Sequence, residues 1–263
     1  MGENQITYTA VIVIYNKKIK ESITCKCLKK IADLDIEIII VDNSESDQGN
    51  SSMCAELGYR YISMNGNKGL SKAYNIAIDN SSSEIIILLD DDTEITDDYF
   101  NKLNNAVSTN HDIDIFAPII YGQDGIIYSP NEFNFLRNKF MKEPKQQISP
   151  DLFNAIASCL AIRMRVFNNY RFNEILFIDQ VDQYFFCEQR QMGRKFMKLD
   201  TIITQNFYQR GPVLSAESGW KRVRLRIIDI MRHARLMGGV KYKLLGYIKC
   251  CDMIWRLFYC LDS

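Results

Sequence analysis

Residues 8–15, 36–41 and 84–89 are short runs that are aliphatic or β-branched at nearly every position. Such near-continuous apolarity marks strands buried on both faces, as in a parallel sheet packed between helices. Between the first two runs, Ile19, Ile23 and Cys27 step by four residues along one helical face. Between the second and third, Leu70, Ala73, Tyr74, Ala77 and Ile78 follow the i, i+3, i+4, i+7, i+8 spacing of an amphipathic helix. A shorter strand at 59–63 precedes that helix, and 113–117 reads as one more. The alternation predicts an α/β fold, a mostly parallel central sheet flanked by helices.

After about residue 120 the alternation weakens. Asp124-Gly125 predicts a turn into a short strand at 126–128, and Pro130, Pro144 and Pro150 punctuate a polar stretch that predicts a long loop over 129–150. Residues 153–164 read as a strand and 179–192 as a helix ended by Gly193, with two further strands at 195–199 and 202–207. Composition shifts near residue 215. Residues 215–263 hold ten Lys or Arg and four Asp or Glu, so this segment carries +6 on a chain of zero net charge. The predicted division is an α/β domain over 1–214 and a basic amphipathic helical extension over 215–263. Apolar residues such as Val223, Ile227, Met231, Leu244, Ile248, Trp255 and Phe258 interleave with the basic ones. That pattern suits an anionic membrane surface; packing on the domain, or a homodimer contact, are the competing readings.

A hydrophobic content of 47%, with 13 Gly and 5 Pro, excludes a disordered or collagen-like chain. Equal numbers of acidic and basic residues argue against a general nucleic-acid binder. The eight cysteines include no CxxC pair and there are two histidines, so no zinc cluster is expected. Free thiols in apolar runs point to a reducing compartment. The chain enters its first strand without a visible signal peptide and has no apolar run of membrane-spanning length. Together these predict a cytoplasmic protein, peripheral to the inner face of the membrane.

Three segments carry candidate chemistry. Asp90-Asp91-Asp92 follows directly on an apolar strand, at the end where open α/β sheets bind ligands. Crowded carboxylates repel one another, and a divalent cation such as Mg2+ or Mn2+ relieves this while leaving sites for diphosphate oxygens. The plainer alternative is a helix start, as for Asp97 and Asp98. The segment from Asn67 through Gly69 to Asn75 lies between a strand and a helix, with backbone amides facing the same sheet edge, although an ordinary strand-to-helix turn explains it equally well. Asp179 and Asp182 share one face of the predicted helix, where either could accept a proton from a hydroxyl nucleophile; acidic charge at a helix N-terminus is the competing reading.

In this order the segments resemble the family-two glycosyltransferases with a GT-A (Rossmann-like) fold, within them the rhamnosyltransferase-like branch. The matching elements are Ile14-Tyr15-Asn16, Val41-Asp42-Asn43-Ser44, Asn67-x-Gly69 with Asn75, and Asp90-Asp91-Asp92 at the DxD-type position. Ser158-Cys159 stands where the family commonly has Ser-Gly, and residues 177–182, with Arg190 and Gly193, resemble its acceptor-side acidic helix. The resemblance covers roughly residues 7–210.

It implies an inverting transfer from a UDP- or dTDP-linked sugar to a hydroxyl of a lipid-linked saccharide, in bacterial surface polysaccharide synthesis. Tyr15, Asn16 and Asp42 fall at base and ribose, Asn67 and Gly69 beside the donor, Asp90 and Asp92 at ribose and metal, and Asp91 nearby. The catalytic base falls on Asp182, with Asp179 the second choice. Two departures stand out: Gln205-Asn206 occupies the place of a metal-binding His in many relatives, and Glu188 that of an Arg, leaving Arg190 further on. His233, beside Arg232, is expected at the surface, the alternative being that it supplies the missing contact from the C-terminal helix. A nucleotidyltransferase would need a Gly-rich basic loop near the first strand, and residues 15–18 contain no Gly. A non-catalytic nucleotide- or carbohydrate-binding subunit is the non-enzymatic alternative, which transfer or donor hydrolysis distinguishes.

Overall fold

The apolar runs form the centre of an eleven-stranded sheet in the computed structural model, which describes residues 6–31, 36–205 and 216–259. Strands β1 (Tyr8–Ile14), β2 (Ile36–Asp42), β3 (Arg60–Ser63) and β4 (Ile85–Leu89) run parallel in the order β3-β2-β1-β4. Beyond β4 the sheet becomes mixed. The strand β10 (Leu160–Arg163) lies antiparallel between β4 and β6 (Ile115–Gly122), and β11 (Phe196–Gln205) runs parallel to β6. A two-residue strand, β5 (Thr93–Glu94), pairs with the end of β11.

Alternate side chains enter two cores. In β4, Ile86 and Leu88 face one core while Ile85, Ile87 and Leu89 face the other. Helices α3 (Leu70–Asp79) and α5 (Val181–Gln191) cover the first side, and α1 (Ile23–Lys30), α2 (Asn50–Leu57) and α4 (Asp97–Thr109) the second. Burial on both faces is why these strands carry no polar alternation.

Several expectations are corrected. The predicted loop over 129–150 is largely a hairpin of β7 (Ile127–Phe133) and β8 (Asn138–Met141). Its pattern was masked because Asn131 is fully buried: its amide donates to the Tyr128 carbonyl at 2.7 Å and accepts from Asn154 at 3.1 Å. The predicted strand 153–164 breaks into β9 (Phe153–Asn154) and β10, with Cys159 in the left-handed region at φ 57°. That conformation explains why a glycine suits this position in the resembling family. The strands expected at 195–199 and 202–207 are one strand, β11, with a register shift between Lys198 and Ile202; Asn206 and Phe207 lie outside the described residues. The first helix buries Thr24, Cys25 and Leu28 rather than the Ile23–Cys27 face.

The C-terminal segment forms α6 (Ala216–Met237) and α7 (Gly239–Tyr259), which fold back on each other. A Cβ on Gly246 would lie 2.9 Å from that of Ala234, so the two helices meet closely there. His233 is not a surface residue: it is fully buried among Phe133, Phe135 and Tyr184. Lys249, counted among the basic face, also points inward, with Nζ 2.6 Å from the Phe135 carbonyl. None of the seven described cysteines is in a disulfide, and five of them are buried; Cys260 lies outside the described residues.

Candidate active site

The parallel strands β1 to β4 end on one side, where an open α/β sheet gathers its ligand-binding loops. Asp42 closes β2 and is 3% exposed. Its carboxylate accepts from the Ser44 amide at 3.0 Å, Asn50 Nδ2 at 2.9 Å and the Tyr61 hydroxyl at 3.1 Å. It therefore shapes the wall of a cavity of about 400 Å3, to which Glu45, Asp47, Ser63, Asn65 and Gly66 also contribute. Tyr15 is half exposed, and its hydroxyl donates to Glu45 at 3.0 Å. Asn16, at φ 48°, accepts from the Glu45 amide at 3.0 Å. The structure thus gathers Tyr15, Asn16 and Asp42 in one corner.

The loop before α3 is pinned beside them. Asn67 Oδ1 accepts from Asn43 Nδ2 at 3.1 Å and from the Gly69 amide at 3.2 Å. Gly69 has φ 88°, and a Cβ there would lie 2.6 Å from the Phe177 carbonyl oxygen. That oxygen already accepts the Leu70 amide at 2.6 Å. Gly69→Ala should therefore destabilise the protein by more than about 1 kcal/mol, lowering Tm by at least about 2–4 °C. Unchanged thermal unfolding would contradict this packing.

Asp90 leaves the end of β4 and divides the acidic cluster. Its Oδ2 accepts from the Ser158 hydroxyl and from Gln205 Nε2 at 2.8 Å; the same nitrogen is 3.2 Å from Asp92 Oδ1. Asp91 instead pairs with Lys17 at 2.5 Å, and its carbonyl accepts Ser22 Oγ and the Ile23 amide where α1 begins. Burial, then the charges of Asp90 and Asp91, push Asp92 up to about 7. Burial also raises Asp90, against the hydrogen bonds from Ser158 and Gln205. Gln205 Oε1 is buried without a hydrogen-bond partner among the described residues. No group of three His, Cys, Asp or Glu side chains placed to hold a metal occurs among those residues. What the cluster offers is two carboxylates and a carboxamide, oxygen donors suited to Mg2+ or Mn2+.

Asp182, in the first turn of α5, faces the same place. Its Oδ2 accepts the Ala157 amide at 3.3 Å, and the next residue, Ser158, holds Asp90. Two consecutive residues thus bridge the carboxylates. Burial, then the Asp90 charge, pushes Asp182 up to about 7. Asp179 does not share its face. Gln180 takes a left-handed conformation at φ 63°, α5 starts after it, and Asp179 turns to Arg222 at 3.3 Å and Arg226 at 3.8 Å. Arg190 is bonded to the Phe153 carbonyl and the Cys187 thiol rather than to the acidic cluster. His233, which burial and the neighbouring Lys249 charge pull down to about 3, is bonded to Gln180. Lys17 is the residue of this site that sequence reasoning overlooked; only its place at the end of β1 hinted at it.

Residues 9–171, well over half of the chain, match the family model for glycosyl transferase family 2. Among solved structures, TarS 1–349 from S. aureus superposes with a TM-score of 0.58 at 17% identity, covering 86% of this chain and 66% of that one. The mannosyltransferase PcManGT from Pyrobaculum calidifontis, in complex with GDP-Man and Mn2+, gives 0.59 at 16% identity, covering 92% and 68%. This chain therefore spans about two thirds of the length of either relative. No curated protein sequence matches it. The matched span shows the family and the superpositions show the fold: the chain is a GT-A glycosyltransferase belonging to glycosyl transferase family 2.

Proposed function

We propose that the protein transfers a sugar, with inversion, from a UDP- or dTDP-linked donor to a hydroxyl of a lipid-linked saccharide in surface polysaccharide synthesis, within the rhamnosyltransferase-like branch. One arrangement carries the reading. A base-sized cavity at the ends of β2 and β3 and the acidic cluster after β4 are separated by β1 alone. Two strand spacings, about 10 Å, span the reach from a nucleobase to its diphosphate. Tyr15 and the Asp42 wall would then border base and ribose, and Asn67 and Gly69 the donor's flank.

The donor set fits a divalent cation: Asp90 and Asp92 would hold it, with the unpartnered Gln205 oxygen available after rotation of its amide. When bound, the ion neutralises the departing diphosphate. Asp182 supplies the other half of the chemistry. Its raised affinity for protons suits a general base that takes the acceptor hydroxyl's proton as that oxygen attacks the anomeric carbon. Lys17, held by Asp91, lies close enough to the cluster to add positive charge beside the phosphates. A panel of nucleotide sugars with saccharide acceptors tests the reading by released nucleoside diphosphate. The proton coupling of the product's anomeric centre should show inversion. No release from any donor would overturn it.

The lipid-linked acceptor is supported by α7. Val240, Leu244, Tyr247, Ile248, Cys251 and Trp255 are exposed and fall on one helical stripe, with Lys241 and Lys243 at its edges. Among the described residues no helix is long and apolar enough to cross a membrane. The protein should therefore sediment with anionic liposomes, more weakly at high salt, as the Debye length falls from ~10 Å at 0.1 M to ~3 Å at 1 M. Leu244→Glu with Tyr247→Glu should leave it in the supernatant. A parent protein that stays in the supernatant at low salt would assign the stripe to a second copy of the chain.

A further inference from the structure

Phe177, Ile178 and Asp179 present three consecutive backbone amides to one carboxylate, that of Asp229 on α6, at 2.8–3.1 Å. Asp229 is fully buried; its Oδ2 accepts all three amides, and its Oδ1 accepts the Phe177 amide at 3.1 Å and lies 3.2 Å from Arg232 Nη1. Converging amides ahead of a helix form a positive pocket that an anion fills. No local side chain does so here: Gln180, at the N-cap of α5, makes no capping bond, and Asp179 is turned to the arginines. Gln180 is held separately, its Oε1 lying 3.1 Å from Lys249 Nζ and 3.2 Å from His233 Nδ1. The opposite side of the same segment is fastened to the donor loop through the Phe177 carbonyl and Leu70 amide. The four residues before α5 are thus clamped between the donor loop and the C-terminal helices.

We infer that Asp229 is a positioning residue for the transfer step, fixing the 177–179 backbone so that the first turn of α5 presents Asp182 to the donor cleft. This rests on the proposed role of Asp182. It also makes the C-terminal helices part of the catalytic apparatus. A displacement of about 1 Å at a reacting group costs about a hundredfold in rate.

Asp229→Ala should therefore lower kcat by about ten- to a hundredfold, while calorimetry shows one nucleoside diphosphate bound per chain with unchanged affinity. Asp229→Asn, which keeps an acceptor oxygen without the charge, should fall between, and it carries the test if the alanine variant does not fold. Because Asp229 acts through Asp182, neither change should cost anything further in an Asp182→Asn background. An equal loss in both backgrounds, or a parental kcat in Asp229→Ala, overturns the inference. If the parent transfers no sugar, the transferase reading fails by itself. Hydrogen exchange then decides: the amides of 177–179 should exchange faster in Asp229→Asn with those of β1 and β4 unchanged, and equal protection refutes the clamp.

Discussion

Asp182→Asn is expected to lower kcat by about a thousandfold while nucleotide affinity stays within about twofold of the parent. Asparagine keeps the size of the side chain and can still accept the Ala157 amide, but it cannot take a proton at neutral pH. The parent's kcat should rise with pH through about 7 and level off above it, because in the proposed mechanism the ionised carboxylate acts as the base. Stability runs in the opposite sense. A carboxyl group whose pKa is raised in the folded state contributes stability that is full below about pH 4 and is lost as pH rises through about 7. Asp182→Asn should consequently match the parent in thermal unfolding near pH 4 and exceed it at pH 8. Near-normal turnover in this variant would transfer the role of base to Asp179, despite its arginine partners.

The second large effect is expected at Asp92. Its carboxylate is crowded by Asp90 and half withdrawn from water, so a cation bound with a diphosphate would relieve both strains at once. Removing a charged donor from such a site costs about 1.5–3 kcal/mol, or about ten- to a hundredfold in affinity. Asp92→Ala should show that loss with manganese present and little change without it. The apo domain should not suffer, because taking away a half-buried, repelled carboxylate favours the folded state above about pH 7.

The parallel half of the sheet was legible because β1, β2 and β4 are buried on both faces, and that leaves an unbroken apolar signature. The acidic strand end was legible for the same reason, since Asp90-Asp91-Asp92 interrupts such a run abruptly. What was hidden depends on partners far along the chain. Asn131, buried in β7 through bonds to Tyr128 and Asn154, made a strand read as a loop. Gln180 takes a left-handed conformation that its residue type does not favour, and Lys249 and His233, more than fifty residues later, hold it. Asp179 and Asp182 therefore part company, although ideal helical spacing puts them together. Asp229, Ile230, His233 and Ala234 form one fully or nearly fully buried face of α6, so two polar residues lie where apolar periodicity alone predicts none. A charged residue on the apolar stripe of a helix was the available signal.

In the proposed function, the ends of β1, β2 and β4 bind a nucleoside diphosphate together with a cation at the acidic cluster. Calorimetric titration of UDP and of dTDP into the parent and into Asp92→Ala, each with and without manganese, tests it most directly. The account predicts one site per chain for at least one nucleotide, tighter with manganese in the parent, and about ten- to a hundredfold weaker in Asp92→Ala when manganese is present. Equal affinities for parent and variant with manganese, or no binding of either nucleotide, would contradict it.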